Sequence, residues 1–326
     1  MKRTFQAAAL IAALSMPVYS ETFRTLVAGK LEVTTDSIEG SSLPLSYVDS
    51  VVVSLGKGAR FLRGIELELK VPPEYLKYRG SLAVSFYSKL SETPKPGVAD
   101  LRADRVGFEL IPNKLQTVYQ IPLRSGHGLR ASPYVSLPTG IVAADGFPLL
   151  FRIMPVIKGL SDDFEAMQFQ LTVRPILGEE GAVKLSFRYP EQLGGRPFSV
   201  YIDDILVEDP GKERILKEGE HHLVVLSEDY RNESQKFQIE RGKVLELPVD
   251  LQDPTPYVSI EAPENTQLYF DGVLLTDRKT PFPTEPGTHE IRFQVGDYSV
   301  VKPFTVQKGK RYRLSLTIDV VIAEND

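Results

Sequence analysis

"LYFDGVLLTD" (residues 268–277) decides how this chain is to be read, because "VYIDDILVED" (residues 200–209) carries the same plan 68 positions earlier. At that offset Tyr201 meets Tyr269, Asp203 meets Asp271, Gly219 meets Gly287 and His221 meets His289. The pair Asp229, Tyr230 meets Asp297, Tyr298, and after one deletion Phe237, Gly242 and Leu247 lie on Phe304, Gly309 and Leu314. Landmarks recurring in one order at nearly constant spacing indicate one β module present twice.

Each landmark has a backbone reason. Asp271 and Gly272 lie between the alternating "LYF" and "VLL" and tolerate positive φ, which predicts a hairpin with a two-residue turn. In "TEPG", Pro286 fixes φ and Gly287 accepts a positive one, predicting a type II turn before the alternating strand "THEIRFQV". "KGK" before "RYRLSLTI" and "ERGK" before "VLELPVDL" repeat this turn logic. His221 and His289 stand just after a turn at the foot of a strand, where a bond to the turn is the expected role. Between the copies, "LQDPTPY" reads as a short, semi-rigid linker.

Asp271, Gly272, Thr280, Pro281, Pro286, Gly287, His289, Asp297 and Tyr298 together resemble PEGA-type repeats, which are small extracytoplasmic β modules. The second copy reads "EPGT" where the name-giving motif has Pro-Glu-Gly-Ala. The first departs further, with Asp204 for the turn glycine, no Thr-Pro pair, and "KEGEH" in place of the proline turn. The resemblance spans residues 183–318, and its motifs specify backbone shape. It implies association with cell-envelope proteins and contact with a ligand or polysaccharide.

The other end of the chain speaks to compartment. Lys2 and Arg3 precede an apolar run over residues 7–14, and Val18 and Ser20 suit a cleavage site before Glu21, so residues 1–20 are expected to be a signal peptide. That run is far below the roughly 20 residues of a membrane-spanning helix, so no span is expected after cleavage. With no cysteine there is neither a disulfide framework nor a lipid-bearing N-terminal cysteine, which favours a bacterial periplasm over a eukaryotic secretory route. Loss of Lys2 and Arg3 takes the formal charge from −5 to −7, which argues against nucleic acid as a partner.

Residues 21–177 show no repeat but the same β texture, in seven or eight short strands with Gly and Pro between them, as an antiparallel sandwich produces. Ile65, Leu67 and Leu69 alternate with Glu66, Glu68 and Lys70, predicting one buried and one wet face. Pro155 predicts an edge strand for "FPLLFRIMPVI", and "SLGKGARF" predicts a hairpin turn rather than a phosphate loop. Two long loops are expected, over residues 88–105 and 124–140, and long loops in a compact domain are either binding segments or disordered ones.

Catalytic signals are sparse. Of four histidines, three belong to the repeat. His127, flanked by glycines in "SGHGL", is the fourth, and no nucleophile is paired with it. Asp203 and Asp204 are read as turn residues rather than a glycosidase pair, and "SDDFE" matches no calcium loop. The expectation is therefore an all-β protein: an N-terminal antiparallel β-sandwich (residues 21–177) followed by PEGA-like modules over residues 178–252 and 253–326. No cofactor or metal is called for. The role expected is a non-catalytic structural or interaction component of the envelope, whose partner is a protein or a cell-wall glycan. The candidate contact residues are Tyr75, Tyr78, His127, Arg130 and Tyr134. The candidate shape-setting turn residues are Asp203, Gly219, His221, Asp271, Gly272, Pro286, Gly287 and His289.

Overall fold

In the computed structural model, residues 19–277 and 280–317 are described; most of the expected leader lies outside them. The chain divides into two compact units, one running to Gly181 and including Arg241–Lys243, the other comprising Ala182–Glu240 and the chain from Val244 on. Both are built of strands.

The first unit is a sandwich. One sheet contains β1 (Tyr19–Val33), β3 (Asp49–Leu55), β9 (Leu149–Pro155), β5 (Leu82–Ser88) and β6 (Gly97–Leu110), in that order, and closes on itself. The other runs β2 (Ser41–Leu45), β10 (Phe169–Leu177), β4 (Leu62–Lys70), β7 (Gln116–Pro122) and β8 (Val135–Ser136). Closure depends on the length of β1. Its first half pairs antiparallel with β6 and its second half parallel with β3, changing partners at a register shift between Val27 and Gly29. The expected cleavage after Ser20 falls inside the β1–β6 ladder, two pairs from its start.

Closure explains the unbroken run "VVV" in β3. Val51 and Val53 face the main core, with Ile65, Leu67, Tyr119, Phe151 and Leu171, while Val52 faces a second cluster with Val27, Tyr87, Leu101 and Leu150. A strand buried on both faces needs no polar alternation. On β4 the alternation holds for Ile65, Leu67 and Leu69, all fully buried. The outer face is drier than expected, since Glu68 is also buried there and bonds Arg174 of β10 at 2.7 Å.

Four expectations for this unit are corrected. β9 is not an edge strand, because β3 and β5 flank it. Pro155 is tolerated because the β3 ladder ends at Arg152, leaving Pro155 paired on the β5 side alone. "SLGKGARF" is no hairpin turn, since β3 and β4 lie in different sheets and this stretch carries the chain between them, with Gly58 at φ 82°. The second half of the supposed loop over residues 88–105 is strand, since β6 begins at Gly97. Finally, not every strand is antiparallel: β1 pairs parallel with β3, and β7 with β8.

Among the described residues the second unit shows two modules of seven strands each. The first has β11 (Glu180–Arg188), β12 (Ser199–Ile202), β13 (Ile205–Leu206), β14 (Arg214–Lys217), β15 (Gly219–Leu226), β16 (Glu233–Ile239) and β17 (Val244–Asp250). Its sheets run β14-β11-β17 and β13-β12-β15-β16. The second has β18 (Tyr257–Glu261), β19 (Gln267–Phe270), β20 (Val273–Leu274), β21 (Phe282–Pro283), β22 (Gly287–Val295), β23 (Tyr298–Val306) and β24 (Arg311–Ser315). Its sheets run β21-β18-β24 and β20-β19-β22-β23, the same order strand for strand. In both, the first strand pairs parallel with the last. Each module has its own apolar cluster, around Val200, Leu223 and Phe237 in one and Leu268, Ile291 and Phe293 in the other.

Candidate functional site

The residues with most chemistry in the modules are the paired Asp and His. In the first, Asp203 and Asp204 both take positive φ, 50° and 64°, and in the second Asp271 and Gly272 take 47° and 81°. Two successive positive φ values make the hairpin turn that matches strand twist. The turn aspartate then ties itself to the neighbouring strand. Asp203 Oδ1 accepts from His222 N at 2.9 Å, and Asp271 Oδ1 from Glu290 N at 2.8 Å.

The other carboxylate oxygen meets the histidine. Asp203 Oδ2 lies 2.6 Å from His221 Nδ1 and Asp271 Oδ2 lies 2.7 Å from His289 Nδ1. The far nitrogens, Nε2, reach the carbonyls of Lys217 and Glu285 at 2.9 and 2.8 Å. A carbonyl and a carboxylate both only accept, so two donors are required of the ring, and only the imidazolium has two. Burial alone lowers the His221 pKa, but its bonds to Asp203 and the Lys217 carbonyl outweigh that and raise it above the ordinary value. His289 is raised chiefly by Asp271, against the opposing effect of burial. The histidine bonds, followed by the backbone amides, hold Asp203 and Asp271 below the usual carboxylate range. A histidine so engaged has no nitrogen left to act as a base.

Gly219 and Gly287 open the next strand at φ 132° and 151°. The value at Gly287 is far from the roughly +80° of a type II turn, so that expectation is corrected: glycine is needed here for an unusual strand entry after Pro286.

The candidate contact residues of the first unit do not converge. Tyr75, a candidate contact residue, is instead fully buried, packed edge-on against Phe169 at 5.9 Å, because the 3₁₀ turn Pro73–Tyr78 folds its ring inward. Tyr78 is half-buried and bonds the Asp163 carboxylate beside a depression of about 590 Å³. His127 Nδ1 accepts from Leu129 N at 2.9 Å and so shapes its own loop. Arg130 is exposed, and Tyr134 is 79% exposed, with Lys114 Nζ 5.6 Å from its ring centre.

A cleft that the sequence did not announce lies within the second unit. It encloses about 760 Å³, lined by Arg188, Tyr189, Arg231, Tyr257, Lys310 and Arg311 and by the carboxylates Asp250 and Asp253. Its walls come from the ends of β11 and β17, the segment before β18, and the turn into β24. Arg311 stands 5.9 Å from the Tyr257 ring centre, and Asp253 is occupied by Thr255 N at 2.7 Å. Among the described residues no group of three or more His, Cys, Asp or Glu is placed to hold a metal ion, and no helix is long and apolar enough to cross a membrane.

No protein-family model matches the chain, and no curated protein does. Among solved structures it is similar to the Bacillus anthracis TIE protein, with 10% identity and a TM-score of 0.21 over 94% of this chain and 59% of that one. It is also similar to the pilus adhesin SpaC of Lactobacillus rhamnosus GG in its open conformation, with 7% identity and a TM-score of 0.20 over 93% of this chain and 44% of that one. The chain therefore spans less than two thirds of either protein, and scores this low establish no common fold.

Proposed function

We propose that this chain is an exported, non-catalytic interaction component of a bacterial cell envelope, acting in the periplasm through tandem PEGA-like modules. The observation that carries the reading is the duplicated Asp–His pair. The same four hydrogen-bonding atoms are engaged in the same way in both copies, so the residues best suited to acid–base chemistry serve to hold a hairpin. The leader-like N-terminus and the absence of cysteine support the compartment. Contact would be made by exposed loops and sheet edges. β23, the edge of its sheet, carries Tyr298 at 71% exposure, and edges of this kind accept partner strands.

A photo-crosslinking residue at position 298 or 134, followed by fractionation of the intact host envelope, tests this. Adducts with a periplasmic or membrane protein are expected. A cytosolic location, or a hydrolytic activity abolished by His221→Ala or His289→Ala, sinks the reading. A second reading, binding of a cell-wall glycan, is favoured by the tyrosine- and arginine-lined cleft within the second unit.

A further inference from the structure

The cleft has an unbalanced charge. Four basic side chains, Arg188, Arg231, Lys310 and Arg311, line it against two carboxylates, on a chain whose formal net charge is −5, and of the four Arg231 also meets Glu233 outside the lining at 3.8 Å. The carboxylates do not neutralise it. Asp253 accepts its own turn amide, and Asp250 meets Arg188 only at 3.4 Å in a pair whose side chains are 72% and 63% exposed. Exposed pairs of this kind hold their partners weakly. Lys310 and Arg311 have no carboxylate within ion-pair distance among the described residues. An anion is the missing counterpart, and guanidinium forks suit carboxylate or phosphate oxygens.

The shape and the backbone narrow the ligand. A neighbouring depression of about 510 Å³ shares Tyr257 and Arg311 with the cleft, so the surface offers an extended track. A strand-adding peptide would need free backbone groups, but several of those around the cleft are paired with one another. Leu251 N reaches Arg188 O at 2.9 Å, Arg231 N reaches Gln252 O at 2.9 Å, and Tyr257 N reaches Lys310 O at 3.1 Å. Recognition therefore falls to side chains. Tyr189, 43% exposed, and Tyr257 add flat faces with a polar tip, which suit the apolar face and hydroxyl rim of a sugar ring. From this we infer that the cleft binds an acidic saccharide chain, its carboxylates or phosphates seated on Lys310 and Arg311 and its rings against Tyr189 and Tyr257.

This deepens the glycan reading above and rests on the chain being a binding component. The test titrates the full chain with polygalacturonate, neutral dextran and poly-L-glutamate. Polygalacturonate is expected to bind, more weakly as salt rises, and dextran not to bind. Lys310→Glu with Arg311→Glu should weaken binding by about tenfold or more, while Lys95→Glu with Lys158→Glu leaves it unchanged. Tyr189→Ala should weaken polygalacturonate as well, and far-ultraviolet circular dichroism and the melting profile check that each variant folds. The inference is overturned if polygalacturonate fails to bind, if the Lys310–Arg311 reversal has no effect, or if poly-L-glutamate binds as tightly and Tyr189→Ala is silent. Protein adducts in the envelope, alongside failure of polygalacturonate, would remove this inference and leave the envelope reading standing.

Discussion

The two modules of the second unit follow one strand order, yet the same letters do different work in them. Asp229, Tyr230 and Asp297, Tyr298 fall on each other in the repeat, but Tyr230 is fully buried and Tyr298 is 71% exposed. The difference is loop length. In the first module residues 189–198 join β11 to β12 and reach Tyr230, whose hydroxyl donates to Leu193 O and accepts from Arg196 N at 3.2 Å. Tyr189 packs against its ring at a tilt, 6.0 Å away, and Phe198 meets it edge-on at 6.2 Å. In the second, residues 262–266 make that connection, and Gly296–Asp297 turn the chain so tightly that Tyr298 is already a strand residue paired with Val295. A template that fixes where the chain reverses leaves free what fills the space between reversals.

The largest expected effect tests that contrast. Tyr230→Ala removes a buried ring and should cost the first module about 3–5 kcal/mol, whereas Tyr298→Ala should stay within about 0.5 kcal/mol. Denaturant unfolding followed by hydrogen exchange in each module separates the two. Equal costs would show that the repeat is energetically as well as topologically regular.

Next in size comes the shared device. Asp203→Ala and Asp271→Ala each lose a backbone cap and a histidine bond and place alanine at positive φ. Each should cost about 1–2 kcal/mol, allowing for the half-exposed setting of these carboxylates. The costs should match between modules, since the distances agree to within 0.1 Å at each contact. A cost confined to one module would mean that the pair is not a common structural element.

Acidity gives a smaller, signed effect. The histidines have raised pKa values when folded, so their contribution is complete below the unfolded value of about 6.5 and is lost as pH rises through the folded one. The aspartates are depressed, so theirs is complete above about 3.8 and is lost as pH falls through the folded value. The second unit should therefore melt higher at pH 5.5 than at pH 8.5. That difference should shrink in the double variant His221→Gln, His289→Gln; a slope unchanged in that variant would assign the effect to other groups.

What was legible in the sequence was local. Asp271–Gly272 and the alternation of "THEIRFQV" act within a few residues, and the turn and strand they imply are present, whereas the type II turn expected at Pro286–Gly287 is not. What was hidden depends on distant partners. Nothing beside Tyr75 says that Phe169 will cover it, and nothing in "VVV" says that β1 will change neighbours to close a ring around Val52. The cleft was hidden for the same reason, since Arg188, Arg231 and Arg311 are widely separated in sequence and each alone reads as a solvated surface charge. Buried Glu68 shows the cost of trusting alternation, because its wet face acquired a lid in Arg174.

The smallest expected effect addresses why the copies differ at the second turn position. A Cβ built on Gly272 meets nothing within 4 Å, so aspartate fits there, as Asp204 does in the first module at φ 64°. Only the backbone term is left to distinguish them. Aspartate resists positive φ more than glycine does, while glycine loses more freedom on folding, so the two costs partly offset each other. Asp204→Gly should therefore stabilise the first module by no more than about 1 kcal/mol, and Gly272→Asp should destabilise the second by a similar amount. Paired thermal melts of the two reciprocal variants measure this. Shifts of opposite sign and like size would place the whole difference in the turn backbone, whereas a large loss in Gly272→Asp alone would mean that the second module, with its smaller buried cluster, relies on its turn more heavily than the first.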